Sequence, residues 1–543
     1  MESYGIALDL GTSGFRAQAI DLEKNKTIST AITLRHPLPG INIMDHLTFA
    51  LEYGGDLAHN IIIDAVRKLI SKLNIELEYI SRIAVCGNPV QLSLFQGIEF
   101  RDLAWAGEHA LKSHGVIPPK RDARIVNSHE IGLELANNKE VSVLIPPAIK
   151  HELGADAVAM MLKSGFLNED LAMVADYGTN AEIALKVKDD ILSGSVAAGP
   201  AIEGQSIEKG MLASPGAISD LELIDKTKCR NIILDDNMYP KSGDIVDLST
   251  GEISKKSENS IKAKGITGTG VIAAIALGLK TGIIKPPKIG SADGKIHLQD
   301  GIFLSEKDIV EAGKAFGAFR AGFLTLCEEA GIKFEEIKIM FMAGASGFYV
   351  DPAKSKIVGT IPPTTEKIYQ VGNTSLSLAA DLVRDPEQLD RLQEFVEDLR
   401  AKHVMFATSE IFKKLYLLEL SYWTEGMPLE KYNDFINRFG ISQKIVGPTK
   451  ISKIFKFHPR DIADFGEKGL TVVSDVGTLI EIELDGCKEC KKCMKSCPEN
   501  AILSVKDRKI RISSSLCLGT ACRRCVAACP EKILDFNKAK VLI

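Results

Sequence analysis

The sequence predicts an α/β protein in which two related lobes are followed by a small, cysteine-rich α+β domain. Two observations carry this prediction. A strand, a glycine-containing turn and another strand occur at Asp9 and recur at Asp176. In addition, eight of the 11 cysteines lie between Cys487 and Cys529. A chain of 543 residues is also too long for one hydrophobic core, so two or three domains are expected.

The overall composition is that of an ordinary folded protein. Hydrophobic residues make up 45% and charged residues 25% of the chain. A formal net charge of −5 gives no indication of a general nucleic-acid binder. The first residues lack a basic segment followed by an apolar one, so no signal peptide is predicted. Because no apolar run is long enough to span a bilayer, we expect a cytoplasmic protein without a membrane span.

The first predicted element is a β-hairpin. Residues 4–9 and 15–20 each have the pattern of a strand, and a glycine-rich turn joins them. A dinucleotide-binding fold would place a helix after these glycines, and no helical pattern follows here. The turn is therefore expected to connect two antiparallel strands.

The same arrangement returns farther along the chain. Residues 171–176 and 182–187 have the pattern of strands, and the turn between them again begins with Asp-x-Gly-Thr. Two copies indicate a duplicated α/β lobe, in which each lobe contributes one hairpin to a shared cleft. A third candidate turn, at residues 344–347, follows a predicted strand at residues 337–343.

Both hairpin turns suit phosphate binding, because glycine lets backbone N–H groups approach an anion without a Cβ clash. Asp9 and Asp176 end their strands at the mouths of the turns, where two carboxylates can hold Mg²⁺ on a triphosphate. One such turn is weak evidence, whereas two in the same context favour an ATP site. The turn residues predicted to bind phosphate are Gly11, Thr12, Ser13, Gly14, Gly178, Thr179 and Asn180.

Further elements follow from apolar periodicity. It predicts helices at residues 56–73, 307–330 and 386–412, and a strand at residues 81–86. A stretch punctuated by glycine and proline begins near residue 440 and is partly strand-like, at residues 470–474 and 478–484. We therefore predict a first lobe at residues 1–170, a second lobe with the adenosine loop at 171–440, a connecting subdomain at 441–485 and a ferredoxin-like domain at 486–543.

The cysteine spacing of the last domain is highly specific. Clustered thiols in a chain without an export signal indicate metal ligands rather than disulfides. Two runs each carry four cysteines followed by proline, as in bacterial ferredoxins, where the fourth cysteine of a run ligates the other [4Fe–4S] cluster. This pattern assigns Cys487, Cys490, Cys493 and Cys529 to one cluster and Cys517, Cys522, Cys525 and Cys497 to the other.

Alternatives remain open for this domain. Zinc also binds thiolates, although the four-plus-four spacing with two prolines favours iron–sulfur clusters. The second run has two extra residues in its first gap, at 518–521. This difference bears on the reduction potential of the cluster more than on whether a cluster binds. The domain carries 13 Lys or Arg against 5 Asp or Glu. This excess either compensates the cluster charge or forms a basic docking face for an acidic partner.

The double hairpin resembles the phosphate motifs of the actin/Hsp70/hexokinase ATPase superfamily, which has duplicated RNase H-like lobes. In that superfamily an acidic residue before the second phosphate strand lies near the γ-phosphate, and Asp156 occupies the matching stretch. Asp156 is therefore either the base that orients the attacking water or a stabilising acid at a helix N-terminus.

The same resemblance implies contacts to the rest of the nucleotide. The turn at residues 344–347 resembles the adenosine loop of the superfamily. Gly268 and Gly270 open a predicted helix, and they either approach the nucleotide or serve only the helix start. The candidate nucleotide contacts outside the hairpin turns are thus Gly268, Gly270, Gly344, Ser346 and Gly347.

The order of motifs along the whole chain resembles the reductive activators of corrinoid proteins. The C-terminal two-cluster ferredoxin is similar to that of the activators that serve methylamine methyltransferases in methanogenesis. The resemblance rests on the following motifs: Asn88-Pro-Val, Gly154-Ala-Asp156, Asp176-Tyr-Gly-Thr-Asn180, Gly199-Pro-Ala-Ile-Glu-Gly204, Gly265-Ile-Thr-Gly-Thr-Gly270, Ala343-Gly-Ala-Ser-Gly347 and Gly372-Asn373.

This resemblance implies an ATP-dependent repair reaction. A corrinoid on a methyltransferase partner slips from Co(I) to inactive Co(II), and the activator returns one electron through its iron–sulfur clusters. The implied cofactors are two [4Fe–4S] clusters, ATP and Mg²⁺. The implied partners are the corrinoid proteins of methylamine methyltransferases and a low-potential electron donor.

Three other functions share part of this pattern. An electron activator of a dehydratase or reductase uses the same ATPase principle, but that type has one cluster bridging two short subunits. A small-molecule kinase fused to a ferredoxin predicts phosphoryl transfer instead. A chaperone or cytoskeletal ATPase leaves the clusters unexplained. The sequence leaves the electron donor, the coupling of hydrolysis to electron transfer and the oligomeric state open.

Overall fold

A computed structural model gives the fold of the chain. It divides the chain into two compact units. Unit 1 comprises Met1–Ala159, Ser375–Arg400 and Asp464–Ile543, and unit 2 comprises Met160–Thr374 and Ala401–Ala463. The structure describes residues 3–105, 108–135, 139–178, 180–197, 201, 206–259, 261–400, 402–447, 451–474, 476–497, 499–519 and 522–542.

Strands occur in both units and in the cysteine-rich tail. Those of the described residues are β1 (Tyr4–Leu10), β2 (Phe15–Asp21), β3 (Lys26–Thr33), β4 (Ile80–Gly87), β5 (Arg124–Asn127), β6 (Ser142–Ile145), β7 (Leu171–Asp176), β8 (Asn180–Val187), β9 (Asp190–Ala197), β10 (Ala217–Asp225), β11 (Lys228–Leu234), β12 (Pro240–Asp247), β13 (Ile253–Lys255), β14 (Gly265–Ile266), β15 (Ile284–Lys285), β16 (Lys288–Ile289), β17 (Lys295–His297), β18 (Phe303–Ser305), β19 (Ile339–Ala343), β20 (Lys367–Gly372), β21 (Lys453–Lys456), β22 (Leu470–Val473), β23 (Leu479–Glu483), β24 (Ile502–Lys506), β25 (Lys509–Ser513) and β26 (Ala539–Leu542).

Helices flank the sheets, and within the described residues each one is too short or too polar to cross a bilayer. They are α1 (Ile43–Tyr53), α2 (Gly55–Ser71), α3 (Pro89–Gln96), α4 (Glu108–Ser113), α5 (Ala155–Lys163), α6 (Gly268–Thr281), α7 (Glu306–Glu329), α8 (Gly344–Tyr349), α9 (Pro352–Val358), α10 (Thr374–Arg384), α11 (Gln388–Arg400), α12 (Glu410–Glu425), α13 (Leu429–Arg438), α14 (Lys492–Lys495) and α15 (Arg524–Ala528).

Unit 1 is built on a mixed seven-stranded sheet with the order β22-β3-β2-β1-β4-β6-β5. Strands β1, β2 and β3 form an antiparallel meander, and β4 and β6 continue the sheet parallel to β1. Every residue of β1 is buried, as expected for a central strand covered on both faces. Helix α2 packs against β2 and β3, so its predicted apolar stripe lies in the core.

Unit 2 repeats this arrangement. Its six-stranded sheet has the order β21-β20-β19-β7-β8-β9, in which β7, β8 and β9 are antiparallel and β19 and β20 run parallel to β7. The two hairpins predicted from the Asp-x-Gly-Thr repeats are therefore confirmed, as is the duplicated α/β design. In each unit the hairpin supplies the first two strands, in chain order, of the central sheet.

Unit 2 also contains a second sheet that the sequence analysis did not predict. Its strand order is β13-β12-β11-β10-β14. Helix α6 packs against β10, and both belong to the hydrophobic core that also includes the buried residues of α7. This sheet therefore extends the same core rather than forming a separate one.

The single helix predicted for residues 386–412 is wrong. Helix α11 ends at Arg400, and α12 begins at Glu410, where the Ser409 side chain caps it. Between them the backbone N–H of Val404 donates to the carbonyl of Ser193 in β9, at 2.8 Å. A peptide group that pairs with a strand cannot also continue the helical hydrogen-bond ladder, so the segment leaves the helix here. Residue 401 lies outside the described residues.

The cysteine-rich tail forms a four-stranded antiparallel sheet within unit 1, with the order β24-β25-β23-β26. The strands predicted near residues 470–474 and 478–484 are present as β22 and β23. Strand β22 pairs with β3 of unit 1, whereas β21 joins the central sheet of unit 2. The strands between residues 441 and 485 thus belong to three different sheets.

Candidate functional site

The first predicted phosphate turn closes the β1–β2 hairpin. Leu10 pairs with Phe15, so Gly11 to Gly14 form the loop at the end of the sheet. Asp9 is only 5% exposed, and its carboxylate accepts a hydrogen bond from Arg16 at 3.3 Å. A carboxylate has two oxygens and about four acceptor positions, so this contact with arginine is compatible with a role in binding a cation.

Asp156 lies in the first turn of α5, in the same unit as Asp9. It is half-buried, and the backbone N–H of Ala157 donates to its Oδ1 at 2.8 Å. Burial raises the pKa of Asp156 to about 6, the Ala157 N–H opposes this rise, and the charge of Asp9 adds to it. The structure therefore brings Asp9 and Asp156 within electrostatic reach of each other.

Glycine is required beside Asp156. A Cβ atom added to Gly154 would lie 2.8 Å from both the carbonyl oxygen of Gly87 and the ring of Pro89. The start of α5 is therefore packed tightly against the end of β4. This close approach gives a physical reason for the Gly-Ala-Asp motif that carries Asp156.

Two further residues at this site were not predicted as functional. Cys86 is fully buried and pairs with Asp9 across the sheet. Burial, followed by the charges of Asp156 and Asp9, raises the pKa of its thiol well above the usual value, so it remains neutral. Asn88 caps α3, and its side-chain N–H donates to the Thr12 hydroxyl at 3.2 Å. The signal for Asn88 was the Asn-Pro pair, which is typical of a helix start.

The second phosphate turn follows β7 in unit 2. A Cβ atom added to Gly344 would overlap the Asp176 carboxylate, and one added to Gly347 would lie 3.0 Å from the Tyr177 ring. The hydroxyl of Tyr177 donates to the carbonyl of Thr360 at 2.5 Å and fixes the ring. The residues predicted as an adenosine loop thus contact the end of β7.

The geometry of residues 344–347 differs from the prediction. They form the first part of the short helix α8 rather than an open turn, and Ser346 accepts a hydrogen bond at its carbonyl from Val350. Gly178 precedes Asn180, the first residue of β8. Thr179 lies outside the described residues, as do residues 199–200 and 202–204 of the Gly-Pro motif.

Gly268 and Gly270 lie in the first turn of α6, capped by Thr267, whose hydroxyl accepts from the Gly270 N–H at 3.1 Å. A Cβ atom added to Gly270 would overlap the carbonyl of Ile218 in β10. Close packing of helix on strand therefore accounts for the glycine at position 270. No geometric observation favours a nucleotide role for Gly268 within the described residues.

Four of the predicted cluster ligands line one cavity in unit 1. They are Cys497 from the first run and Cys517, Cys522 and Cys525 from the second. Burial raises the pKa of Cys517 to about 12, and the charges of Cys525, Cys497 and Cys522 raise it further. The fourth cysteine of the first run has thus reached the cysteines of the other run.

Apolar residues and a lobe helix close this cavity. Tyr53 at the end of α1 lines it together with Phe536, and their ring centroids are 5.0 Å apart. Arg523 beside the cavity forms an ion pair with Glu52 of α1 at 3.2 Å. The tail is therefore held against the first lobe at the edge of this cysteine set.

The other predicted set includes both a buried cysteine, Cys493, and an exposed one, Cys490. Cys493 lies in α14, and burial raises the pKa of its thiol, with a further rise from the charges of Cys487 and Cys490. Cys529 directly follows α15, which packs against α14. Pro498 and residues 520–521 of the widened gap lie outside the described residues.

The donor chemistry of both sets fits iron–sulfur cubanes. Within the described residues, no three His, Cys, Asp or Glu side chains are close enough to hold a single ion. A cubane makes a different demand, because each of its four thiolates binds a different iron atom. A cysteine-lined cavity with apolar walls is therefore the environment that such a cluster requires.

Comparison with known proteins gives three matching segments. Residues 4–169 match the RACo middle region, and residues 170–433 match the C-terminal domain of RACo, the ASKHA domain. Residues 479–530 match a 4Fe–4S dicluster domain. A solved structure of a reductive activator for a corrinoid, iron–sulfur protein shows the same fold, with a TM-score of 0.60 and 21% identity over 77% of this chain and 66% of that one.

Two curated relatives match the chain over different lengths. The corrinoid activation enzyme RamQ of Eubacterium limosum is 23% identical over 400 residues, which cover 66% of this chain and 60% of that protein. A Co(II) methylated amine-specific corrinoid protein reductase of Methanosarcina barkeri is 49% identical over 526 residues, which cover 95% of this chain and 96% of that protein. The chain therefore belongs to the reductive activators of corrinoid proteins, oxidoreductases that here combine an ASKHA body of the actin/hexokinase type with a C-terminal 4Fe–4S dicluster domain.

Proposed function

We propose that this chain returns one electron to the Co(II) of an inactive corrinoid protein, giving Co(I), in a reaction that requires ATP. The partners we propose are the corrinoid proteins of methylamine methyltransferases, because the relative with 49% identity is named for such a substrate. The observation that carries the proposal is the cavity lined by Cys497 together with Cys517, Cys522 and Cys525. It lies in the same unit as Asp9 and Asp156.

The cysteines of the tail would hold two [4Fe–4S] clusters. When bound, these clusters supply one-electron transfer at low potential. The thiolates carry negative charge, and the excess of Lys and Arg in the tail offsets it. Cys487, Cys490, Cys493 and Cys529 would bind one cluster, and Cys517, Cys522, Cys525 and Cys497 the other.

The two lobes would bind ATP. Asp9 and Asp176 would hold Mg²⁺, since each ends a strand beside a glycine-containing turn. Asp156 would orient the attacking water, and with a pKa of about 6 it is mostly ionised at neutral pH and able to accept a proton. The nucleotide would contact Gly11, Thr12, Ser13, Gly14, Gly178, Thr179, Asn180, Gly268, Gly270, Gly344, Ser346 and Gly347.

ATP is needed because the reduction is uphill. Moving one electron against about 59 mV costs about 1.4 kcal/mol. Nucleotide binding and hydrolysis shift such an equilibrium only if the nucleotide states differ in their interaction with the partner. We infer that a low-potential donor would supply the electron to the clusters. The ATP cycle would change the environment of the cobalt in the bound partner.

The lobe and domain limits of 1–170, 171–440, 441–485 and 486–543 remain part of this proposal.

Low-potential clusters and free thiols require a reducing environment. We therefore propose that the reaction takes place in the cytoplasm.

An anaerobic reconstitution tests the proposal. The purified protein is mixed with a chemical reductant, Mg-ATP and a methylamine methyltransferase corrinoid protein in the Co(II) state, and the visible spectrum is followed. We expect the Co(II) bands to be replaced by those of Co(I), or of methyl-Co(III) when methylamine and its methyltransferase are added. Omitting ATP should stop the change.

A variant that lacks one cluster ligand is the control for this experiment. A Cys517→Ala variant should hydrolyse ATP but fail to reduce cobalt, since it lacks one cluster. Cobalt reduction at the same rate without ATP, or a preparation with only trace iron and sulfide, would refute the proposed function. Phosphorylation of a sugar or of acetate in the same mixture would instead support a kinase.

A further inference from the structure

Residues 33–41, here called the linking segment, run from the end of β3 to the start of α1 in unit 1. One side of the linking segment contacts the first phosphate turn, and the other side contacts the residues around Cys517. It therefore joins the predicted nucleotide site to one predicted cluster site within a single unit.

The contact with the phosphate turn is direct. The backbone N–H of Phe15, which follows the turn, donates to the Thr33 hydroxyl at 2.8 Å. The Phe15 ring also meets the His36 ring edge-on, with centroids 5.0 Å apart. A Cβ atom added to Gly14 would lie 2.8 Å from the Thr33 hydroxyl, so no free space separates the turn from the segment.

A second route passes through the start of α3. The Asn88 side chain donates to the Thr12 hydroxyl at 3.2 Å and accepts from the backbone N–H of Gln91 at 3.0 Å. The Gln91 side chain then reaches two histidines. Its Oε1 is 3.0 Å from His36 Nε2, and its Nε2 is 3.0 Å from His46 Nδ1.

The hydrogen bonds determine the proton positions in this network. The backbone N–H of Leu38 donates to His36 Nδ1 at 3.1 Å, so the His36 proton is on Nε2 and is donated to Gln91. Gln91 in turn donates to His46 Nδ1, which leaves the His46 proton on Nε2. Each hydrogen bond therefore has a fixed direction.

Both histidines are neutral. Their rings stack with centroids 3.8 Å apart, and both are almost completely buried. Burial lowers the pKa of His36 to about 3 and that of His46 well below its usual value. Among the described residues, His46 Nε2 is buried without a hydrogen-bond partner. Breaking hydrogen bonds in such a buried network is costly, so its members are expected to keep their mutual geometry.

The linking segment holds the cysteine-rich tail at its other end. The backbone N–H of Gly40 donates to the carbonyl of Cys517 at 2.9 Å, and the Ser514 hydroxyl donates to the carbonyl of Pro37 at 2.5 Å. Gly519 has φ +79°, and a Cβ atom added there would lie 3.1 Å from Gly40 Cα. The backbones thus touch beside a predicted cluster ligand.

We propose that Gln91 is a positioning residue that transmits the nucleotide state of the Gly11–Gly14 turn through His36 and the linking segment to the backbone around Cys517. This inference rests on the proposed function. A shift of the Cys517 backbone alters the hydrogen bonding and solvent access of the cluster bound there, which are two determinants of its potential. It provides a route by which ATP acts on electron transfer.

Hydrogen–deuterium exchange of the anaerobic, cluster-loaded protein tests this proposal. Exchange is compared with and without Mg²⁺ and adenylyl imidodiphosphate. Allosteric couplings commonly change the affinity for a ligand about 5- to 150-fold. We therefore expect the wild type to change its exchange at residues 11–14 and, by about fivefold or more, at residues 514–519. In Gln91→Leu the change at residues 11–14 should persist, while that at residues 514–519 should be clearly smaller than in the wild type, because only the direct contacts of Thr33 and His36 with Phe15 then remain.

Gln96→Leu is the matched control. Gln96 lies on the same helix but bonds to Leu92 and Arg124 instead of the histidines, so this variant should behave as the wild type. Ser514→Ala removes the bond to Pro37 from the other end and should also weaken transmission. It provides the decisive comparison if Gln91→Leu does not fold.

The outcomes separate the two proposals. No nucleotide-dependent change at residues 11–14 in the wild type would overturn the nucleotide site, and with it the proposed function. A change at residues 11–14 without one at residues 514–519 would overturn only the coupling. A full wild-type response in Gln91→Leu, or in Ser514→Ala where the first variant does not fold, would also overturn it. The EPR spectrum of the reduced clusters gives a second readout, which should respond to nucleotide more strongly in the wild type than in Gln91→Leu.

Discussion

Gly344 lies directly against Asp176, so that a Cβ atom added to Gly344 would overlap the Asp176 carboxylate. Gly344 also has φ +77°, which favours glycine. Two independent physical reasons therefore require glycine at this position. The consequence is that the carboxylate proposed to hold Mg²⁺ is oriented by the backbone of a segment far away in the sequence.

Gly344→Ala should displace the Asp176 carboxylate and slow ATP hydrolysis, with a loss of stability of about 1–3 kcal/mol. Gly331→Ala is the control, because Gly331 also has a positive φ but no atom lies within 4 Å of an added Cβ. It should cost only about 1 kcal/mol and leave hydrolysis unchanged. Phosphate release and thermal melting measure the two effects. Equal loss of hydrolysis in both variants would contradict the steric argument.

Asp156→Asn should lower the rate of ATP hydrolysis and raise the stability of the folded protein. The folded protein raises the pKa of Asp156 from 3.8 to about 6, so the folded state binds a proton more tightly than the unfolded state. The stability contributed by this protonated carboxyl is present near pH 4 and is lost as the pH rises through about 6. Asparagine cannot ionise, so the variant should gain Tm relative to the wild type at pH 8 and less at pH 5.

The melting curves for this comparison are recorded with EDTA and without nucleotide. Loss of the base should lower ATP hydrolysis by about 10²-fold or more. Unchanged hydrolysis would support the alternative in which Asp156 only stabilises the start of its helix. Equal Tm differences at pH 5 and pH 8 would show that the carboxyl titrates below this range.

The elements that were predictable from sequence are those set by neighbouring residues. Strand alternation and turn glycines lie within a few positions of each other, so the hairpins at Asp9 and Asp176 could be predicted. The spacing of the cysteine runs is equally local. The break after Arg400 was not predictable, because it depends on a backbone hydrogen bond to Ser193 more than two hundred positions earlier.

The parts of the site that were missed depend on tertiary contacts. Nothing local distinguishes Gln91 from any other glutamine on a helix, and its importance appears only when two buried histidines meet its side chain. Cys86 likewise has no motif, and only strand pairing places it beside Asp9. Residues 344–347 were expected to form a turn, but the glycines there also permit the start of a short helix.

Cys497→Ala should remove the same cluster as Cys517→Ala, since both side chains line one cavity. The wild type should contain about eight iron atoms, and each variant about four. The double variant should lose no more iron than either single variant, as measured by iron and sulfide analysis. Cys229→Ala, which changes a buried thiol in unit 2, is the control and should retain all the iron. Loss of both clusters in the double variant would mean that the two cysteines serve different clusters.

Glu419→Gln should lower the free energy of unfolding of unit 2 strongly. The Glu419 carboxylate is completely buried, and Arg320 donates two hydrogen bonds to it at 2.7 Å each. The hydroxyl of Tyr432 donates a third, at 2.6 Å. Removing the charge leaves the guanidinium of Arg320 buried without a counterion, which typically costs about 3–5 kcal/mol.

Glu410→Gln on the same helix is the matched control. Glu410 pairs with Lys413 at 2.9 Å, but this pair is exposed, so its loss should cost less than about 0.5 kcal/mol. Urea unfolding followed by the fluorescence of Trp423 measures both variants, with Trp105 replaced by phenylalanine so that only unit 2 is observed. If Glu419→Gln costs no more than Glu410→Gln, water must reach Arg320 in the folded protein. The contact between α7 and α12 would then be looser than the buried, bidentate geometry of this ion pair requires.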